Sequence, residues 1–240
     1  MNRKSLLALS FIAVMSLLIV AGSVAIADPS QDAKPAAGQA EPQLPAGWTQ
    51  EDMQACIAAG TPGKMHEHLA KGVGVWQGKN TMWMAPGAPP ITCDSTTTVT
   101  TVMDGRFTKC EMAGEMPGMG PYSGFAIYGF DNVTQKFVSS WIDNFGTGIA
   151  NGIGELSSDG KTLTWTFTYN CPVQKKPVAM REIDTTTGPD SKKLEMFGTD
   201  PKSGKEFKMM EIVLTRKAGT GPTAEAKPAA TPEARPAAAR

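Results

Sequence analysis

Histidine is almost missing from this chain: His66 and His68 are the only two among 240 residues. On a helix, residues two apart point about 200° away from each other, so the pair could chelate one metal ion only if their segment were extended. A capping or surface role suits them better. Cys56, Cys93, Cys110 and Cys171 contain no Cys-x-x-Cys unit, which excludes a zinc ribbon and a thioredoxin-type redox pair. There is no Gly-x-Ser-x-Gly elbow, and two poorly placed histidines leave a nucleophile without its base. Net charge is also missing, because 23 basic residues balance 23 acidic ones. With no basic run carrying interleaved aromatics, a nucleic-acid partner is not expected. No catalytic motif, metal site or cofactor follows from these residues. The 14 methionines leave Cu(I) as a minor alternative, centred on Met82-Trp83-Met84 and on Met112, Met116 and Met119. Methionine as an adaptable apolar filler is the simpler reading.

What is present begins with an export signal. Asn2-Arg3-Lys4 is a positive start, and Leu6 to Val20 is apolar apart from Ser10 and Ser16. Ala25-Ile26-Ala27 then offers small residues where a signal peptidase reads, predicting cleavage after Ala27 and a periplasmic or secreted product. An uncleaved anchor is the competing reading, which Gly22 and Ser23 weaken. Residues 28–47 and 218–240 are rich in Ala and Pro and poor in large apolar side chains. They are expected to be a disordered linker and a disordered tail, since they bury too little to offset the entropy of ordering. One domain is left, residues 48–217.

That domain opens with two short helices. Thr49 and Asp52 form a capping-box pattern, and Thr61-Pro62 reads as the start of a second helix that stops at Gly72. From Val73 the period changes to two. Leu163, Trp165, Phe167 and Tyr169 alternate with threonines, the pattern of a half-buried strand. Similar runs predict strands near 73–84, 91–103, 106–115, 122–130, 136–144, 149–158, 161–170, 177–184, 192–199 and 205–216. Asp104-Gly105 and Asp159-Gly160 read as two-residue hairpin turns. Ten strands with short links predict a mainly β fold, an antiparallel up-and-down barrel; a two-sheet sandwich is the alternative. If the barrel closes, Trp76 and Arg216 fall at the same end of adjacent strands, as a structural cation–π pair.

Gly74-Val75-Trp76 after a short helix, with the late Arg216, resembles the arrangement in lipocalins and other calycin barrels. A longer set of motifs resembles the bacterial domain of unknown function family 1579. It comprises His66-x-x-Leu69, Gly105-Arg106-Phe107, Tyr128-Gly129-Phe130-Asp131-Asn132, Ser140-Trp141-Ile142-Asp143 and Gly146-Thr147-Gly148. Gly198-Thr199-Asp200-Pro201 leading into Glu206 to Glu211 completes the set. Phe130 departs from it, standing where Tyr is expected. The resemblance spans about residues 64–217, implies a lipocalin-like barrel, and implies no settled activity.

Strand order predicts where a ligand would enter. The end holding Trp76 and Arg216 carries tight turns and a helix, a closed base. The far end carries Gly- and Pro-rich loops around Met84, Met116, Phe145 and Lys176, the expected mouth. Trp141 and Asp143 share a face below it and are candidate ligand contacts, with Arg181 a charge in a strand that would need a partner if buried. Asp143, Glu155, Glu195 and Glu211 are strand carboxylates that could in principle serve an enzyme. The leading expectation is a small, partly apolar ligand. A side-chain-filled envelope module and an enzyme using interior carboxylates are the alternatives. Asn132-Val133-Thr134 matches a glycosylation acceptor in a tight turn. With four cysteines in an exported chain, Cys93 and Cys171 are the expected disulfide partners, with Cys56 as a rival.

Overall fold

The computed structural model describes residues 44–222. The signal segment, residues 28–43 and residues 223–240 lie outside the described residues. Two helical pieces, α1 (Gln50–Gly60) and α2 (Lys64–Ala70), precede ten strands. These are β1 (Gly74–Met82), β2 (Ile91–Val102), β3 (Phe107–Met116), β4 (Gly120–Asp131) and β5 (Lys136–Asp143). They continue as β6 (Ala150–Leu156), β7 (Thr162–Cys171), β8 (Lys176–Gly188), β9 (Ser191–Thr199) and β10 (Glu206–Arg216). Each strand pairs antiparallel with its chain neighbours, and β10 returns to β1, so the sheet closes as a ten-stranded barrel. The sandwich alternative is thereby excluded.

Closure is fastened where the sequence places Trp76 beside Arg216. The two are paired in register, and the guanidinium lies 4.2 Å from the indole centroid. Arg216 also donates to the carbonyls of Val73 and Lys71 and, through Nε, to Asp190 Oδ1 at 3.0 Å. Trp76 Nε1 donates to Gly72 O at 2.9 Å, which ties the end of α2 to the first strand. Gly74 is required at this junction. Its φ is 134°, and a Cβ there would lie 2.6 Å from Thr220 O and 3.0 Å from Arg216 Nη1. Residues 218–222, at the head of the Ala/Pro-rich tail, turn back on β1: Thr220 Oγ1 accepts from Val75 N at 3.0 Å.

Three local readings need correction. Thr61 does not start α2; it closes α1, its hydroxyl donating to Ile57 O at 2.6 Å, and α2 begins at Lys64 behind Gly63. The cap of α2 is His66, whose Nδ1 accepts from Gly63 N at 3.0 Å. The Asp159-Gly160 turn is a four-residue loop, 158–161, with Asp159 Oδ1 accepting from Ser157 Oγ and Lys161 N. Its register is unchanged by the longer loop. Strand β8 runs four residues past its expected end, because a bulge between Thr186 and Gly188 lets pairing continue almost to the turn.

The core lies on one side of the barrel. Phe137, Leu163, Trp165 and Phe167 are buried together, and Met65 and Leu69 of α2 pack against them as a lid over the base. By contrast α1 buries no residue. It is held by Arg106 Nε donating to Gly60 O and by Asn132 Nδ2 donating to the carbonyls of Ala58, Ala59 and Thr61. Among the described residues no helix is long and apolar enough to cross a membrane.

The expected disulfide is not formed, and all four cysteines are free. Cys93 is on β2 and Cys171 on β7, five steps apart around a ring of ten. They face each other across the barrel, whereas a bridge needs Cα atoms within about 7 Å.

Replacing Arg216 by Met removes every hydrogen bond of the guanidinium and leaves the carbonyls of Lys71 and Val73 without it. The expected cost is about 2–4 kcal/mol, a fall of roughly 5–10 °C in melting temperature followed by circular dichroism. A loss under about 0.5 kcal/mol would mean that the fastening matters little.

Candidate functional site

The barrel is hollow. Its cavity has a volume of about 1150 Å³ and apolar walls with a few polar groups. Leu69, Gly72 and Trp76 form its floor beneath α2, and the far end reaches the surface between Glu115-Met116, residues 144–149 and Asn170–Pro172. Phe145 and Ile149 on that rim are exposed, whereas Trp76 on the floor is 2% exposed.

Trp141 and Asp143 both line the cavity. The two are joined, with Trp141 Nε1 donating to Asp143 Oδ2 at 3.0 Å and Phe145 N donating to Oδ1 at 2.9 Å. Both oxygens of Asp143 are therefore engaged. The indole lies over Gly124, where a Cβ would come within 2.2 Å of the ring. Tyr122 and Phe145 meet edge to face at 5.4 Å beside them, and burial, then the Asp143 charge, raises the Tyr122 hydroxyl pKa. Met116 is also on the wall, while Met84 and Lys176 are exposed and are not part of it. Met82 takes the place expected of Met84. Arg181 points outward. It stacks on Phe197 at 4.2 Å and pairs with Glu206 at 2.8 Å, so it needs no interior partner.

The acid that matters was not among the expected ones. Glu155, Glu195 and Glu211 bind lysines: Glu155 pairs with Lys136, and Lys208 bridges Glu195 and Glu211 at 2.8 and 2.7 Å. Glu182 instead lines the cavity and is only 5% exposed. It sits on the inner wall of β8, in register with Trp165 on one side and Met196 on the other. No described residue hydrogen-bonds to its carboxyl group. Burial, followed by the Asp184 charge, raises its pKa to about 8.

Asp184 lines the same cavity two residues further on, its Oδ1 buried and unpartnered among the described residues. Its Oδ2 is 3.8 Å from Lys192 Nζ, and Lys192 in turn lies 5.4 Å over the Trp76 ring. Around this pair, burial pushes the Cys110 thiol up to about 12, which leaves it inert as a nucleophile. Burial also raises the Tyr128 hydroxyl, and it lowers His68, which therefore stays neutral near pH 7. Among the described residues no group of three or more His, Cys, Asp or Glu side chains is placed to hold a metal.

A sequence signal for Glu182 did exist. The alternation in β7 sends its odd residues inward, and a four-residue turn after Cys171 pairs odd residues of β7 with even residues of β8. Met180, Glu182 and Asp184 are then the inner set. Hydrophobicity alone pointed the other way, toward Ile183.

A family model described as a protein of unknown function, DUF1579, matches residues 61–216. The chain belongs to that family. Among curated proteins none matches the sequence. Among solved structures, Rv2717c from M. tuberculosis is similar at 15% identity with a TM-score of 0.49, covering 65% of this chain and 99% of its own. The S-type phycobiliprotein lyase CPES from Guillardia theta is similar at 12% identity with a TM-score of 0.47, covering 68% of this chain and 96% of its own. Family membership brings no activity with it, so the site has to be read from its own residues.

The raised Glu182 pKa has a sign that can be tested. The folded protein retains this proton up to about pH 8, while an unfolded glutamate has lost it near 4.5. Stability from this group is therefore fully present below about pH 4.5 and declines as pH rises toward 8. Glu182→Gln should flatten that decline. Its melting temperature should exceed wild type by about 5 °C or more at pH 8 and match it near pH 4.5. Parallel melting curves across the range would contradict the buried, unpaired state of the acid.

Proposed function

We propose that this is an exported, lipocalin-like barrel that binds a small, partly apolar molecule inside its cavity. The observation that carries the reading is the hollow itself, about 1150 Å³, apolar on most of its wall and reaching the surface at one end. Binding cavities have this composition, with few polar groups to orient the ligand. The same hollow removes support for a barrel filled by side chains. Export rests on Asn2-Arg3-Lys4, the apolar run that follows and Ala25-Ile26-Ala27.

A second reading is favoured by one observation: Glu182 and Asp184 converge in the cavity, and Glu182 has the pKa of a usable general acid at neutral pH. An enzyme built on them would turn over a compound that the binder only retains.

Native mass spectrometry of protein purified from its own host should show a non-covalent added mass that Met196→Trp, which fills the lumen beside Glu182, removes. A bare polypeptide mass for each protein, with no retained compound on either, would count against the binding reading. Release of the compound chemically altered would favour the enzyme. The same spectra should give a chain beginning at Asp28; a retained residue 1–27 segment would defeat the cleavage proposal.

A further inference from the structure

Three properties of the cavity bear on the charge of its ligand. The first is the balance of its inner wall: among the described residues Asp143, Glu182 and Asp184 line it against one cation, Lys192, whereas Asp94 and Glu115 border the cavity with exposed side chains on the outer face of β2 and β3. Asp94 is engaged by Lys79 at 2.9 Å, and Asp143 is satisfied by Trp141 and Phe145. The second is an unfilled polar requirement at depth. Glu182 is 5% exposed, points into the lumen, and receives no hydrogen bond from any described residue. Asp184 Oδ1 beside it is likewise buried and unpartnered. Buried acceptors are costly when left unmet, and Glu182, which lines the lumen, is the one that a donor entering there would meet. The third is the rim, where Trp141, Tyr122 and Phe145 present aromatic rings around the Asp143 carboxylate. Rings with a nearby carboxylate attract organic cations by their faces and repel carboxylates.

We propose that the cavity selects an organic cation, an apolar or aromatic body carrying a protonated amine, and that Glu182 with Asp184 receives the ammonium group at the bottom of the lumen. The inference rests on the binding reading above and adds the ligand's class to it. It also excludes a class. Fatty acids and other carboxylates would bring their charge against Asp184 and, as pH rises toward 8, against an ionising Glu182, with Lys192 already shared with Asp184 and Trp76.

The groups facing Glu182 support the same direction. Asp184 on its own strand, Cys110 on β3 and Tyr128 on β4 supply no positive charge, and His68 on α2 is held neutral. Among the described residues Lys192 on β9 is the only cation lining the cavity, and it lies 3.8 Å from Asp184. When the ammonium arrives, the O–H bond of the Glu182 acid breaks, its proton passes to solvent, and the carboxylate pairs with the ligand. Affinity for an amine therefore rises with pH toward 8, by up to about tenfold per unit, while affinity for a neutral analogue does not.

Three probes of one shape test this on the mature full-length protein: 1-naphthylmethylamine, 1-naphthalenemethanol and 1-naphthoate, each titrated by tryptophan fluorescence and by calorimetry at pH 6, 7 and 8. The amine should bind at least tenfold tighter than the alcohol at pH 8, and the naphthoate weakest. Glu182→Gln should erase the amine's advantage and its pH slope while leaving alcohol binding within about twofold, and Glu155→Gln, at an exposed carboxylate paired with Lys136 outside the lumen, should leave the advantage in place. If the alcohol binds but the amine is no tighter, or the naphthoate is tightest, the cation inference is overturned and the cavity reading stands. If none of the three binds, the cavity reading fails with it. An advantage kept in Glu182→Gln, or lost in Glu155→Gln as well, overturns the assignment to Glu182.

Discussion

Aromatic rings laid over glycines of the neighbouring strand are the interaction on which this hollow depends. A barrel of eight strands is wide enough either to be filled by its own side chains or to hold one small ligand, and ten strands enclose more. That surplus would still be spent if large side chains projected to the axis. Here they lie along the wall. Trp165 covers Gly154 and Phe167 covers Gly152, each pair in register between β6 and β7, and Trp141 covers Gly124 from β5. A Cβ at any of these glycines would come within 2.2 to 2.7 Å of a ring carbon. Any substituent there would push the ring inward and close the lumen. Burial of the rings and emptiness of the centre are therefore one arrangement.

The closed base follows from the opposite kind of packing. Trp76 has the Arg216 guanidinium 4.2 Å and the Lys192 ammonium 5.4 Å from its ring, at the end of α2. This leaves little room for solvent on the floor, and Glu182 and Asp184 above it see water only through the lumen. The rim is built otherwise. Residues 144–149 leave the sheet at Asp143, whose carboxylate accepts from Phe145 N and keeps the loop turned over the wall. One end is sealed by cations and rings, and the other is shaped by a loop that one acid anchors.

Much of this was legible in the residues, and the limits have physical causes. Strand boundaries were readable to within a few residues, because a wall with one wet and one buried face imposes a period of two on Thr162 to Tyr169 and its neighbours. Closure was readable from strand parity, which put Trp76 beside Arg216. Thr61 was misread because Thr-Pro is an N-cap signal, yet the same hydroxyl can return to the carbonyl four residues back and end the preceding helix. Cys93 and Cys171 were placed at the same end correctly but on opposite sides. Height along a barrel follows from strand direction, while distance across it depends on counting strands around the ring. Glu182 was missed for a different reason. Its neighbours Arg181 and Ile183 suggest the reverse face, and only the turn length after Cys171 reveals which set points inward.

A folded protein has no structural need for that carboxyl group. Glutamine or methionine would fill the same space beside Trp165 and Met196 without a titratable proton, and would remove the cost of desolvating an unpaired carboxylate. Ionising Glu182 costs the folded protein more as pH rises, and no described residue donates to its carboxylate. Under the proposed function a cationic ligand in the lumen would offset that cost. Occupancy and stability are then linked through one residue, since any ligand that meets the carboxylate stabilises the folded state by an amount that grows with the logarithm of its affinity. Arg216 fastens the shell whether or not the barrel is occupied. Under the proposed function Glu182 makes the shell better off occupied, and that asymmetry favours the lumen, rather than the surface, as the place where a ligand would bind.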